Sequence, residues 1–517
     1  MNLLKKYLLA GIVLVIGMSV AACVIVSHRI DVQRIDPLKD IEVKTPVKAH
    51  LRDGTTVVYP DGVKISGGMI HGQGVMADIA LTQQKVVQAI PLEDVAGMES
   101  YRTGVNKTES ILVSAAATAG AVVGGALLAV AIFGSCPTVY SDDGNVEEAE
   151  LFSSSIAPLF EARDLDRLKA QPDTDGTLRL EVRNEAMETH YINHLQILEA
   201  VHAADEFVLP DIQDGIVAVR NIHVPGDITD RRGQSVRASV ADVDEKAYAT
   251  DSRTVDGASA ADMDDWLEFT TPVNGEAKSI TFVFRLRNSL LGTTLMYDVM
   301  LGPSGARALD WMNRDLNNIS TAVELGRWFE KRAGLHIEVF RNGEFQEVAR
   351  VPDTGPISWH DIAASIPVLP GEDSLRIRLS FLADHWRIDR IGVADAARAV
   401  QPRAIPISGV AENTGRNAPD AQRYLNQPDD HYLQTNPGQR IFVQFDTGST
   451  PPNQSRTFLL SSQGYYIEWI RGKWLETSTA TQPFVPSDES LLTSLRLWSN
   501  KRDTFEKQFR EARVPVR

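Results

Sequence analysis

Residues 374–382 read SLRIRLSFL, and their alternation decides the fold class. Leu375, Ile377, Leu379 and Phe381 fall on one side of an extended chain, Arg376, Arg378 and Ser380 on the other. Period-two patterning of this kind marks a strand with one buried and one wetted face. The pattern recurs. In TLRLEVR (177–183), Leu178, Leu180 and Val182 alternate with Arg179, Glu181 and Arg183, and in ITFVFRLRN (280–288) Ile280, Phe282, Phe284 and Leu286 point inward. LHIEVFR (335–341), EFQEVAR (344–350), WRIDRIGV (386–393) and RIFVQFD (440–446) read as further strands. Such strands belong to antiparallel sheets with one face on a core. The expected fold class is therefore α+β: several mostly antiparallel, β-sandwich-like modules with interposed helices.

Turns and helix signals divide the chain. Residues 45–108 read as a small β-unit, with Asp53-Gly54 and Pro60-Asp61-Gly62 as hairpin turns. A compact barrel of SH3-like size fits that length. Residues 135–226 form a β-module that starts with CPTVY, passes through an expected amphipathic helix over 156–170 (IAPLFEARDLDRLKA) and continues in strands. Residues 227–400 form an α+β sandwich-like module. Its first part, 227–265, is a polar loop with one short helix near its end, and 304–318 and 320–334 are helices. Ser320 is placed as N-cap of the second and Gly334 as its terminator. Residues 401–486 rebuild a C-terminal β-unit after the Pro/Asn/Asp-rich connection 402–437, and 487–517 close the chain as a charged helix capped by Ser487.

The N-terminus, MNLLKKYLLAGIVLVIGMSVAAC, has a basic pair (Lys5, Lys6), an apolar run and small residues before Cys23, the layout of a secretory signal peptide. Val20-Ala21-Ala22-Cys23 resembles a bacterial lipobox, which implies cleavage after residue 22 and lipidation of Cys23. Residues 23–44 then serve as a lipidated tether. Val24 stands where an aspartate typically retains such proteins at the inner membrane, so the expected location is the cell envelope, at the outer membrane rather than the inner. The formal net charge is −16, and removal of residues 1–22 takes away two lysines and no acid. A balance this acidic argues against nucleic acid as a partner. Only two cysteines exist, Cys23 and Cys136, so lipidation of one leaves no intramolecular disulfide. Stability must come from hydrophobic cores, which 517 residues can supply in several domains.

Residues 109–134 hold the longest apolar run. Ile111 to Phe133 carry no charge, and about twenty apolar residues span a bilayer. Eight alanines, three glycines, a serine and a threonine make the run a weak insertion signal, however. Topology opposes crossing too. A lipidated Cys23 puts residues 24–110 outside the cytoplasm, while the nearby positive charges Arg102 and Lys107 ask for that flank to be inside. A helix or hairpin that packs through Gly120-x-x-x-Gly124 and does not cross satisfies both; a true span is the alternative.

Catalytic motifs were sought along the chain. G-x-S-x-G, G-x-x-x-x-G-K-[ST] and G-x-G-x-x-G are all absent. His190 and His194 are four apart, but in a strand that separation is about 13 Å, so no metal site is assigned. Asp173-Thr174-Asp175-Gly176 resembles the middle of a calcium loop, yet Val182 stands where its bidentate Glu belongs, and the run reads as a hairpin turn. Asp142, Asp143, Glu147, Glu148 and Glu150 read as a solvated acidic face. The ligand-binding candidates are aromatic. Trp386, Tyr465, Tyr466 and Trp469 sit among polar neighbours near strand ends and could stack on sugar rings, with Asp384, His385 and Asp389 bonding hydroxyls. The bland counterpart is that Trp386 and Ile388 are core. No catalytic residue, cofactor or metal is assigned.

FGSCPTVYSDDG (133–144), LFSSSIAPLFEARDLDRL (151–168), LEVRNEAMETHYINHLQIL (180–198) and RTFLLSSQGYYIEWIRGKW (456–474) resemble a group of uncharacterised bacterial envelope lipoproteins. CPTVY and ETHYINHLQIL are also similar to β-modules appended to tetratricopeptide and FG-GAP-like proteins, although no helical repeat occurs in this sequence. The resemblance implies location and modular β character, and brings no catalytic residue. Two functions remain: a lipid-anchored envelope protein that binds or scaffolds an envelope protein or glycan, and an envelope carbohydrate-binding protein or glycan-acting enzyme. Beyond these two, a single-span or polytopic membrane protein is a further alternative. A deep pocket gathering carboxylates in divergent environments favours the enzyme; a flat, aromatic-poor surface favours the scaffold.

Overall fold

The computed structural model describes residues 41–77, 84–100, 137–141, 146–153, 155–274, 276–429, 431–451, 453–475, 487–511 and 513–516. Cys23, the signal and most of the tether, Cys136 and the whole 109–134 segment lie outside the described residues. Among the described residues no helix is long and apolar enough to cross a membrane.

The opening alternation builds a sandwich. Ser374–Leu382 is a strand between Asp264–Pro272 and Leu335–Arg341, in a sheet that Thr229–Asp230 and Glu344–Val351 extend at its two sides. Leu375, Ile377, Leu379 and Phe381 are buried, while Arg376 and Arg378 lie outward and bond Glu268. The facing sheet orders Phe207–Pro210, Ile216–His223, Trp386–Ala399, Ser279–Asn288 and His360–Pro367. Phe282, Phe284, Leu286, Trp386 and Ile388 from this sheet share one core with Leu267, Ile337 and Phe381 from the other. Each large side chain buried there is worth about 1.5–3 kcal/mol, so this core carries far more than the rim ion pairs, at ~0–1 kcal/mol each.

A second sandwich interleaves distant segments. One sheet orders Ala162–Arg167, Ser455–Glu468, Glu188–His202 and Arg403–Ile405, with Leu433–Thr435 also on Glu188–His202. The other orders Ile407–Glu412, Arg440–Asp446, Thr177–Arg183, Thr138–Ser141 and Val146–Glu150. Leu178, Leu180, Ile192, Ile197, Val443, Phe445 and Phe458 meet in its core. Residues 135–226 and 401–486 thus share both sheets, where the sequence pointed to two separate units. The helix expected over 156–170 is also corrected. Pro158–Phe160 make one 3-10 turn and Ala162–Arg167 a strand antiparallel to Leu459–Gly464. The free edge of a long strand outweighs helix propensity, which is a weak prior.

The N-terminal β-unit is a sheet ordered Ile41–Val43, Val63–Ser66, Met69–Ala77, Thr56–Tyr59, Val47–Leu51, Val95–Ser100 and Ile470–Arg471, with Gln84–Pro91 on Met69–Ala77. The Asp53-Gly54 turn joins Val47–Leu51 to Thr56–Tyr59 as expected, and Gly54 takes φ +88°. No pairing among the described residues closes this sheet into the expected barrel, and Ile470–Arg471 joins it from the far end of the chain.

Helices cover its apolar side. Residues 291–315 coil irregularly, with a break at Gly305 (φ +53°), so helix begins well before the expected residue 304. Ile319–Ala333 follows, capped by Asn318 and not Ser320: the Asn318 side chain accepts from the Ser320 and Thr321 amides. Gly334 ends it. Asp488–Glu511 forms the closing helix, where Ser487 Oγ accepts from Ser490 N at 3.1 Å. Leu491, Leu495 and Trp498 pack with Leu309, Trp311 and the N-terminal sheet.

Candidate functional site

Where the two sandwiches meet the helical insert, a cavity of about 310 Å³ opens. Its walls come from several elements: Glu150 at a strand end, Phe160 on the short turn, Asn288 to Tyr297 leading into the helical coil, Gly326 to Ala333 on the long helix with Gly334 after it, the 352–356 loop, His385, and Glu188 and Tyr466 on paired strands. Most of the lining is apolar, which is the character of small-molecule sites.

Glu150 is the most unusual wall residue, at 1% exposure. Its Oε2 accepts the Ile357 and Ser358 amides at 2.8 and 3.2 Å. Its Oε1 has no hydrogen-bond partner among the described residues. Gly355 permits the approach: it holds φ +83°, and a Cβ there would lie 2.6 Å from Oε1. Burial pushes the Glu150 carboxyl up to about 8, against the opposing field of His360 and the two amides, so the acid is mostly protonated at neutral pH. Behind it stand Asp164, Asp166 and His360. His360 Nδ1 lies 2.9 Å from Asp166 Oδ1. Burial alone lowers the imidazole, but the Asp166 bond and the surrounding carboxyls raise it to about 9. Burial, with Asp166 beside it, takes Asp164 up to about 7.

Glu188 and His190 form a second buried pair, Oε1 to Nε2 at 2.7 Å. Burial raises the Glu188 carboxyl well above its ordinary value and lowers the His190 imidazole to about 3. Both shifts favour the neutral forms, since burial disfavours charge on either partner. His385 Nε2 lies 3.1 Å from Asp353 Oδ2, whose other oxygen accepts the Gly355 amide. Ser289 shares the wall with this His–Asp pair, yet its hydroxyl donates to Asp384 O at 2.6 Å and accepts the Leu291 amide. Its proton is therefore not directed at His385, and the three do not form a nucleophilic triad.

The sequence-derived aromatic platform is not assembled. Trp386 is fully buried in the first sandwich, with Nε1 donating to Ala333 O at 3.0 Å. Asp384 is buried at φ +56°, accepting from Arg387 Nη1, Trp498 Nε1 and Arg502 Nη1, so it clamps the closing helix. Asp389 is buried beside Arg285 Nε at 3.3 Å. Trp469 is buried with its ring stacked on His50, centroids 3.8 Å apart. Tyr465 is buried and stacked on Tyr191 at 4.7 Å. Its neighbour Tyr466 points the other way, as alternation demands, and lines the cavity. Of the seven residues singled out, Tyr466 and His385 reach the site.

Glu150 stood in the sequence as part of a solvated acidic run; the structure buries it and Glu147, whose Oε2 accepts the Lys169 and Ala170 amides. His190 is buried and His194 bonds Leu425 O, each on its own partner. Asp173 Oδ1 accepts the Asp175 and Thr177 amides, the turn read there. Among the described residues no group of three or more His, Cys, Asp or Glu converges as a metal site.

No protein-family model and no curated protein matches the chain. Among solved structures, a cycloalternan-forming enzyme from Listeria monocytogenes in complex with a pentasaccharide substrate is similar at 11% identity and a TM-score of 0.17. The match covers 70% of this chain and 29% of that one. At that score neither fold nor activity is carried across.

Proposed function

We propose that this chain is a lipid-anchored protein of the bacterial cell envelope that binds a small, largely apolar molecule in the cavity beside Glu150. The carrying observation is the cavity itself: about 310 Å³, apolar-walled, with a few converging polar groups. The lipobox-like residues before Cys23 support the anchor, and Val24 supports the outer membrane. An engaged Ser289 hydroxyl supports binding over acyl transfer. A second reading, a glycan-acting enzyme, is favoured by one observation: Glu150 stays protonated at neutral pH, as a general acid must. Most of the exposed lining is nonetheless apolar, and the Asp353 and Glu188 carboxyls are already held by His385 and His190, so binding is the reading adopted.

Gly326→Leu tests the cavity. Gly326 lies in the long helix and lines the cavity, and a Cβ there meets only Phe160 Cε1, at 3.8 Å. Leucine fills the void and is the better helix former by about 1 kcal/mol. Fluorescence titration with an environment-sensitive apolar dye should show saturable binding to the wild type that this variant loses at least tenfold, with its melting temperature unchanged or higher. Equal dye affinity in both sinks the cavity reading. The anchor has its own test: labelled palmitate should enter the wild type and not Cys23→Ala, and the label should fractionate with outer membranes. Label retained in the variant removes Cys23 as the site.

A further inference from the structure

Four acids, Glu150, Glu188, Glu330 and Asp353, line the cavity, and among the described residues no lysine or arginine does. Glu330 is paired with Arg350 at 3.1 Å. Glu188 and Asp353 already have imidazole partners at 2.7 and 3.1 Å. Glu150 does not. It is 1% exposed, its Oε2 is held by two amides, and Oε1 is left without a partner among the described residues. A buried polar atom without a partner costs about 1–3 kcal/mol, so a ligand that supplies a donor there recovers that cost. The wall also carries the rings of Phe160, Phe329 and Tyr466, and aromatic faces attract cations; the Tyr297 face already holds Arg471 at 5.1 Å.

From the unpartnered Glu150 oxygen and the aromatic walls, we propose that the ligand is an organic monocation, a protonated amine or quaternary ammonium on an apolar body, with its head at Glu150. This deepens the proposed binding role and rests on it. A bare inorganic cation is a poor fit, since among the described residues no group of three or more His, Cys, Asp or Glu converges to replace its water.

The arrangement has a proton consequence. The groups facing Glu150 are His360, Asp353 and, more distantly, Arg287, with Asp164 and Asp166 behind His360. His360 already offsets part of the burial effect on Glu150, and an arriving cation adds to that field, so Glu150 gives up its proton to solvent as the complex forms. Affinity for the cation should therefore rise with pH, by roughly 50-fold between pH 6 and 8 for one carboxyl titrating near 8.

The test is calorimetric titration of the full chain with three matched probes: 3-phenylpropylammonium, 3-phenylpropan-1-ol and 3-phenylpropanoate. The ammonium should bind at least tenfold tighter than the alcohol at pH 8, and the carboxylate weakest. The ammonium's advantage should shrink toward pH 6. Glu150→Gln keeps the shape, and should cost the ammonium at least tenfold more affinity than it costs the alcohol; an unchanged near-ultraviolet circular dichroism spectrum reports that the variant is folded. If that variant fails to fold, the wild-type ranking and its pH dependence decide. An alcohol that binds as tightly as the ammonium, or a carboxylate that binds tighter, overturns the cation and leaves the cavity reading standing. Failure of all three probes takes down both.

Discussion

Between pH 6.5 and pH 8.5 the fold should lose stability at roughly 2 kcal/mol per pH unit, a fall set by the cluster behind the cavity. The sign follows from two groups. Glu150 is pushed up to about 8, so the folded chain keeps a proton that the unfolded chain releases near 4.5, and stability falls as pH rises toward 8. His360 is raised to about 9; its contribution is complete below 6.5 and is lost as pH rises through 9. Both slopes run downward. Asp164, raised to about 7, adds to the fall at the lower end of the range. His190, lowered to about 3, acts only below 6.5, where acid favours the unfolded chain. Urea midpoints at pH 6.5, 7.5 and 8.5 measure the slope. Glu150→Gln should flatten it and leave the protein more stable than wild type at pH 8.5. A midpoint that stays level or climbs with pH contradicts the burial of this cluster. The result would also mean that the proposed ligand carboxyl is held at a cost to the fold, a common exchange at sites.

Trp386→Ala should remove about 3–5 kcal/mol of stability, because it empties a fully buried site in the first sandwich. The loss has two parts: the indole's volume among Leu286, Ile388 and Phe381, and its hydrogen bond to Ala333 O at 3.0 Å. Ala333 ends the long helix and lines the cavity, so the same change loosens one wall of the site. Trp386→Phe should cost less, keeping most of the packing and losing the bond. Chemical denaturation with near-ultraviolet circular dichroism reads both. A shift within about 0.5 kcal/mol for the alanine variant would mark Trp386 as a surface residue and restore the stacking platform.

The contrast between Trp386 and Tyr466 shows what a sequence carries. Strand identity was legible because alternation is local: Leu375 to Phe381 report their own buried face. Strand partnership was not. Ala162–Arg167 has the composition of a helix and becomes a strand because Ser455–Glu468 offers an edge, a fact located some three hundred residues away. The interleaving of 135–226 with 401–486 is hidden for the same reason. Polar neighbours misplaced the aromatic site, since Asp384 and Asp389 are themselves buried on arginines and bring no solvent with them. Glu150 gave no local signal: VEEAE (146–150) does not alternate, and the amides that hold its buried carboxyl come from Ile357 and Ser358, some two hundred residues away.

Ile470–Arg471 completes the N-terminal sheet beside Val95–Ser100. Every ribosome that makes this chain therefore releases the first sheet long before its final neighbour exists, and closure over so great a loop is slow. A copy truncated before residue 470 would keep a bare sheet margin, an open invitation to aggregate.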